Sequence, residues 1–232
     1  MEDYLTYPFD ADLILRKKKS IRRMLFEGSS FVEKKIAILG GSTTSEIKDI
    51  LELFLLHEKI KPIFYESEFN KYYEDIIFDN PKLLAFAPDL IYIHTTNANI
   101  NFPQEFTDKK EYIEKEIEKE FSKFKNLWLR IREKYHCLII QNNFELPFYR
   151  ALGNLDASNI QGRTYFITRL NIAFAQYAQD NKDFYINDIN YLSSWIGLEK
   201  WYDRTYWHSY KYAFSYEAIP ILSYNIANII KA

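Results

Sequence analysis

The chain is poor in several things, and each scarcity closes off a class of protein. It has one cysteine in 232 residues, Cys137, so no internal disulfide framework can hold it together. Cys137 opens the apolar run Leu138-Ile139-Ile140, where a small buried thiol is the expected role. Charge of one sign is lacking: 30 Lys and Arg stand against 32 Asp and Glu, a formal net charge of −2. That balance gives no global attraction to nucleic acid or to an anionic membrane. No run of about 18 uncharged apolar residues occurs, so no spanning helix is expected. The opening Met1-Glu2-Asp3-Tyr4 has no basic region leading into an apolar one, so a cytoplasmic location is the expectation. No internal repeat, low-complexity stretch or Gly/Pro/Ser-rich linker divides the chain. The dinucleotide fingerprint and the P-loop spacing are missing. No metal-ligand signature is visible either, so neither a metal nor another cofactor is expected.

What is present suits one globular α/β domain. Hydrophobic residues make up 47% and charged residues 27%, close to ordinary usage. The 19 Tyr, 18 Phe and 4 Trp predict a ring-rich core, because each buried ring removes a large area from water. Residues 1–30 read as an extension that packs on a domain of residues 31–232. Within it, Ile14 to Phe26 forms an amphipathic helix. Its Arg16, Lys17, Lys18, Lys19, Arg22 and Arg23 make either a solvated face or a docking surface for an acidic partner.

Five short apolar runs read as strands: Lys35–Leu39, Pro62–Tyr65, Leu90–Ile93, Cys137–Gln141 and Phe184–Ile186. Unbroken runs of this kind suit strands covered on both faces. Helical spacing appears after Thr43, over Tyr72–Phe78, Asp108–Tyr135 and Thr164–Ala178, and in a last helix from Ile219 to Ile230 with Pro220 in its first turn or at a kink. Thr43 and Glu46 have the spacing of a capping box. Strands alternating with helices predict a three-layer α/β sandwich, flavodoxin-like, with a parallel sheet of about five strands.

Open α/β sheets bind ligands outside the carboxyl ends of their strands. That rule nominates Gly40–Thr43, Glu66–Asn70, His94–Asn97, Asn142–Asn143 and Asp188. Gly40-Gly41-Ser42 leads from strand to helix, where glycines permit a tight bend. Backbone N–H groups at a helix start suit an oxyanion. Ser42 is then an exposed nucleophile if a base lies near, or else a simple cap. Of the histidines, His94 suits a satisfied strand position, and His57 and His136 suit structural ones. The rings from Trp195 to Tyr216 form either a ligand-gripping patch or a loop packed on the sheet.

Several stretches together resemble one family. These are Lys35-Ile36-Ala37-Ile38-Leu39-Gly40-Gly41-Ser42-Thr43-Thr44, Glu66-Ser67-Glu68-Phe69-Asn70-Lys71-Tyr72, Phe86-Ala87-Pro88-Asp89, Trp201-Tyr202-Asp203-Arg204-Thr205-Tyr206-Trp207 and Tyr212-Ala213-Phe214-Ser215-Tyr216-Glu217-Ala218, with Tyr7-Pro8-Phe9-Asp10 and Leu15-Arg16-Lys17-Lys18 before them. The chain resembles the SGNH-hydrolase-like (GDSL-type) region N-terminal to the HAD domain of FkbH-like proteins. In that family the HAD half is linked to loading a glyceryl unit onto an acyl-carrier protein. The Asp-x-Asp-x-Thr opening of that half is absent here.

The wider SGNH resemblance implies Ser42 as nucleophile of an acyl ester or thioester hydrolase or acyl transferase. It implies His208 as base, Asp203 orienting it, and Gly41 with the Asn97 amide about the oxyanion. Glu66 and Asp188 lie at neighbouring strand ends as substrate-binding candidates. Two departures stand out. Glu66-Ser67-Glu68 replaces the second block's glycine, and Asp203 and His208 are five positions apart rather than about three. They motivate the alternative, a non-catalytic SGNH-like domain that docks a carrier protein or a ligand for a HAD-type glyceryl-transfer enzyme. The implied partners are a small acyl or glyceryl substrate, an acyl-carrier protein and a HAD domain.

Overall fold

The computed structural model describes residues 4–27, 30–102, 107 and 109–232. Each apolar run becomes a strand and the periodic segments between them become helices. In chain order the elements are α1 (Ala11–Phe26), β1 (Val32–Gly40), α2 (Ser45–His57), β2 (Ile60–Glu66), α3 (Glu74–Ile77), α4 (Pro81–Phe86), β3 (Leu90–His94), α5 (Lys110–Tyr135), β4 (Leu138–Asn142), α6 (Arg163–Gln179), β5 (Phe184–Asn187), α7 (Ile189–Ile196), α8 (Leu198–Trp201), α9 (Arg204–Tyr210) and α10 (Ile219–Lys231). The sheet order is β2-β1-β3-β4-β5 and every pairing is parallel. Chain order reverses between β1 and β3, which makes the gap beyond their carboxyl ends the place for a ligand.

The alternation of side chains along each strand splits the core in two. Ile36, Ile38, Leu90, Tyr92 and Ile140 join α1, α2, α10 and the ring-rich segment on one face. Ala37, Leu39, Ile91, Ile93 and Ile139 meet α5 and α6 on the other. There Trp128 stands among Phe121, Phe124, Phe174, Tyr177 and Phe184, with ring centroids 4.5–6.3 Å apart. This face of the core is therefore ring-rich, while other rings such as Tyr149, Tyr191 and Trp195 are exposed. Cys137 is buried beneath this face, and desolvation pushes its thiol up to about 12, so it stays protonated and unreactive at neutral pH.

Boundaries differ from the sequence reading where tertiary contacts decide them. β1 starts at Val32 because its exposed first residues pair with β2 from Val32↔Ile60 onward. The helix expected over Tyr72–Phe78 is the short α3. The separate α4 behind it starts at Asn80, whose side chain accepts from the Lys82 N–H. Asp108, the expected start of α5, lies outside the described residues. Pro220 falls in the first turn of α10 and costs that helix no hydrogen bond. The expected Thr43–Glu46 capping box does not form. Thr44 is the N-cap of α2 and makes no side-chain cap; Thr43 and Glu46 bond to other segments instead.

α1 packs through Ile14 and Ile21. Its Lys18 bridges Glu46 at 2.7 Å and Asp49 at 3.0 Å, and Arg22 grips Glu52 at 2.6 Å. Part of the basic stripe is therefore neutralised inside the molecule, against α2. Among the described residues no helix is long and apolar enough to cross a membrane.

Candidate functional site

The β1–α2 turn lies at the switch point and is held from three sides. Gly40 N–H donates to Ser67 Oγ at 2.9 Å, and Gly41 N–H donates to the His94 carbonyl at 2.8 Å. Asn99 donates through Nδ2 to the Gly41 carbonyl at 3.0 Å and to Asn70 Oδ1 at 3.3 Å, while its Oδ1 accepts from Thr96 N–H at 3.0 Å. A Cβ on Gly41 would lie 2.5 Å from the Asn99 amide, and one on Gly40 would lie 2.6 Å from the Ser42 carbonyl. The glycines are thus required by close approach rather than by backbone angle. Gly41→Ala is expected to displace Asn99 and cost about 1–2 kcal/mol. A urea midpoint equal to the parent's would show that Asn99 moves aside freely.

Ser42 follows this turn, but its hydroxyl is not exposed as the sequence suggests. The residue is 2% exposed and its Oγ is buried without a hydrogen-bond partner. The residues after it are tied to a segment far along the chain. Thr43 donates through N–H to the Lys211 carbonyl at 3.0 Å and through Oγ1 to the Tyr210 carbonyl at 2.7 Å. Ser45 Oγ meets the Tyr212 hydroxyl at 2.8 Å. The end of α9 is thereby clamped onto the turn.

The other expected site residues are drawn into separate work. His208 is exposed in the last turn of α9. Asp203 is the N-cap of that helix, with Oδ1 accepting from Thr205 N–H at 2.8 Å and Tyr206 N–H at 3.1 Å. No hydrogen bond links Ser42, His208 and Asp203. Glu66 accepts from Thr44 Oγ1 at 2.7 Å and pairs with Lys48, so its charge is compensated at the turn. Asp188 caps α7, accepting from Tyr191 N–H at 3.0 Å and from Asn143 Nδ2 at 2.7 Å.

Asn97 departs most from its expected place. Its Nδ2 donates to the Glu145 carbonyl at 3.4 Å and its N–H to Glu145 Oε2 at 3.3 Å. The amide set against the Gly41 turn belongs to Asn99, two residues on. The signal that could have found it is Thr96-Asn97-Ala98-Asn99, a short cap in which Thr96 Oγ1 accepts from Ala98 N–H at 3.3 Å. Glu145 was missed altogether. Burial pushes its carboxyl up to about 8, so it is mainly protonated at pH 7.

A second overlooked feature runs under the turn. Gly40 pairs with His94 across the sheet, and His94 begins a buried polar chain. Its Nδ1 lies 2.8 Å from the Tyr92 hydroxyl, which donates to Asn142 Oδ1 at 3.0 Å. Asn187 Nδ2 donates to the same oxygen at 2.7 Å, and Asn225 Nδ2 donates to Asn187 Oδ1 at 2.6 Å. Desolvation lowers the His94 imidazole to about 3, so it is neutral across the physiological range. Phe214 caps its ring edge-on at 5.2 Å, and Nε2 is buried without a partner. Among the described residues no three His, Cys, Asp or Glu side chains gather where they could hold a metal ion.

Residues 35–231 match the family described as FkbH, N-terminal domain. A solved structure of the N-terminal part of the protein BF1531 from Bacteroides fragilis, described as containing a phosphatase domain complexed with Mg, superposes with a TM-score of 0.76 at 18% identity. The match covers 92% of this chain and 56% of that one, so this chain spans little more than half of that structure. TesA matches with a TM-score of 0.54 at 10% identity, over 86% of this chain and 98% of its own. Phospholipase A1 from Streptomyces albidoflavus NA297 matches at 0.53 and 11%, over 87% of this chain and all of its own. At such identities the likeness is one of fold, the three-layer sandwich of SGNH-type hydrolases. No curated protein matches the chain.

Proposed function

This chain belongs to the family of FkbH N-terminal domains, and we propose from that premise that it is a non-catalytic SGNH-like accessory domain. In this reading it serves a HAD-type glyceryl-transfer partner by docking a carrier protein or holding a ligand, in the cytoplasm. The observation that carries it is the Ser42 hydroxyl, buried and unpartnered in the turn whose next residue, Thr43, is bound to the end of α9. A serine nucleophile needs a base within hydrogen-bond reach and an open approach for the carbonyl. The nearby acids support the same reading, because Asp203 caps a helix and Glu66 pairs with Lys48.

The test is labelling with a fluorophosphonate, joined to turnover of short-chain aryl esters. The expected result is no labelling and no turnover that distinguishes the parent chain from Ser42→Ala. Labelling of the parent alone would overturn the accessory reading.

That outcome would support a second reading, a serine acyl hydrolase or acyl transferase. One observation favours it: Ser42 directly follows a glycine turn at the switch point, with the Asn99 amide alongside. Its mechanism has Ser42 Oγ attack an ester or thioester carbonyl while a histidine takes the proton. The histidine returns it to the departing alcohol or thiol as the C–O or C–S bond breaks. Water or an acceptor hydroxyl or thiol then takes the acyl group from Ser42. The serine N–H and a neighbouring amide hold the developing oxyanion. It requires the 210–212 segment to lift away from the turn so that the hydroxyl becomes accessible.

A further inference from the structure

A cavity of about 590 Å³ opens outside the carboxyl ends of β3 and β4. Asn97, Ile100, Asn101 and Phe102 from the segment after β3 face Pro147 from the segment after β4 and Arg163 at the start of α6. Its volume is that of a small-molecule site, and its position is where open α/β sheets bind ligands.

The charges in it are not balanced from within. The Arg163 guanidinium sits 5.0 Å from the centre of the Phe102 ring and makes no hydrogen bond or ion pair among the described residues. The one carboxylate on the wall, Asp156, is fully buried. Its Oδ2 accepts from Thr164 N–H at 2.8 Å and its Oδ1 from Leu152 N–H at 3.4 Å. The two asparagines use their nitrogens elsewhere, Asn97 on the Glu145 carbonyl and Asn101 on Glu120 Oε1 at 3.3 Å. Their side-chain oxygens are left as acceptors, and Ile100, Phe102 and Pro147 supply apolar surface.

We propose that this cavity binds a small carboxylate that also carries O–H or N–H donors, of the hydroxy-acid or acylated amino-acid class. The guanidinium offers a planar fork that a carboxylate meets with two parallel bonds. The Phe102 ring beneath it holds that plane in place, which lowers the ordering cost of binding. Donors on the ligand then meet the Asn97 and Asn101 oxygens. This inference deepens the ligand-holding part of the reading above; neither Ser42 nor His208 lines the cavity, so its failure is distinguishable from the fluorophosphonate result.

The experiment is titration calorimetry on the full chain with lactate, malate, N-acetylglycine and inorganic phosphate, repeated on Arg163→Gln and Arg163→Lys. Arg163 is exposed, so both variants are expected to fold, which a circular-dichroism melt checks. Saturable binding of at least one of the three acids is expected. It should weaken about tenfold or more in Arg163→Gln and by a smaller factor in Arg163→Lys, which keeps the charge and loses the fork. The proposal is overturned by no saturation with any acid up to about 10 mM, by Arg163→Gln binding within about twofold of the parent, or by phosphate binding as tightly as the acids.

Discussion

Asn142→Ala is expected to destabilise the fold by about 4 kcal/mol, since each buried polar group left unpaired costs ~1–3 kcal/mol. Asn142 lies fully buried at the end of β4 and its side chain has four polar neighbours, one of them His94, whose Nδ1 is 3.3 Å from Asn142 Nδ2. Its Oδ1 accepts from the Tyr92 hydroxyl and from Asn187 Nδ2, and its Nδ2 donates to the Thr95 carbonyl at 3.2 Å. Truncation strands the Asn187 amide and the Thr95 carbonyl, and leaves the Tyr92 hydroxyl with His94 alone, in a low-dielectric interior where water cannot readily replace the amide. Tyr92→Phe removes only the hydroxyl between His94 and Asn142, so a loss of about 1–2 kcal/mol is expected there. Urea unfolding of the two variants checks the order. If Asn142→Ala lost less than Tyr92→Phe, the network would not be the cooperative unit described above.

The second large effect has the opposite sign. Glu145→Gln is expected to stabilise the protein at pH 8 and to leave it unchanged near pH 4. In the folded chain burial holds the Glu145 carboxyl up at about 8; in the unfolded chain it titrates near ~4.3. Below that lower value both states are protonated and the group contributes no difference. As pH rises, the unfolded chain releases a proton that the folded chain retains. Stability therefore falls until the folded carboxyl ionises near pH 8. Glutamine keeps an oxygen for the Asn97 N–H but carries no charge in either state, so it removes this penalty. The gain is expected to be on the order of 5 kcal/mol at most, at the upper end of the range. Melting curves at pH 4.5 and pH 8 test it; equal shifts at both would mean that Glu145 ionises in the folded state without cost.

Much of the architecture is legible because short-range patterns dictate it. Leu90-Ile91-Tyr92-Ile93 and Leu138-Ile139-Ile140 lack polar alternation and become central strands covered on both faces. The spacing of Ile113, Ile117, Phe121, Phe124, Trp128 and Ile131 makes α5 amphipathic; all but the half-buried Phe121 are buried, together with Glu120 and Leu127. The strand–Gly-Gly–helix unit places Ser42 at the switch point for the same local reasons. The candidate site is less legible. Asn97 and Asn99 are the same residue type two positions apart, and only the turn of the backbone after Thr96 decides which amide meets Gly41. Asp203 shows the same ambiguity, since a residue that orients a histidine and one that caps a helix look alike in a linear pattern.

The sequence by itself determined the parallel sheet, its flanking helices and the glycine turn, because period, propensity and bend are properties of neighbouring residues. Only the tertiary structure decided that Ser42 is buried and that its neighbour Thr43 is tied to Tyr210 and Lys211, more than 160 positions away. It likewise decided that Glu145 is mainly protonated at pH 7 and that Arg163 lines a cavity with no ion pair among the described residues. Burial and charge balance arise from what folding brings together across the chain, and no local pattern encodes them.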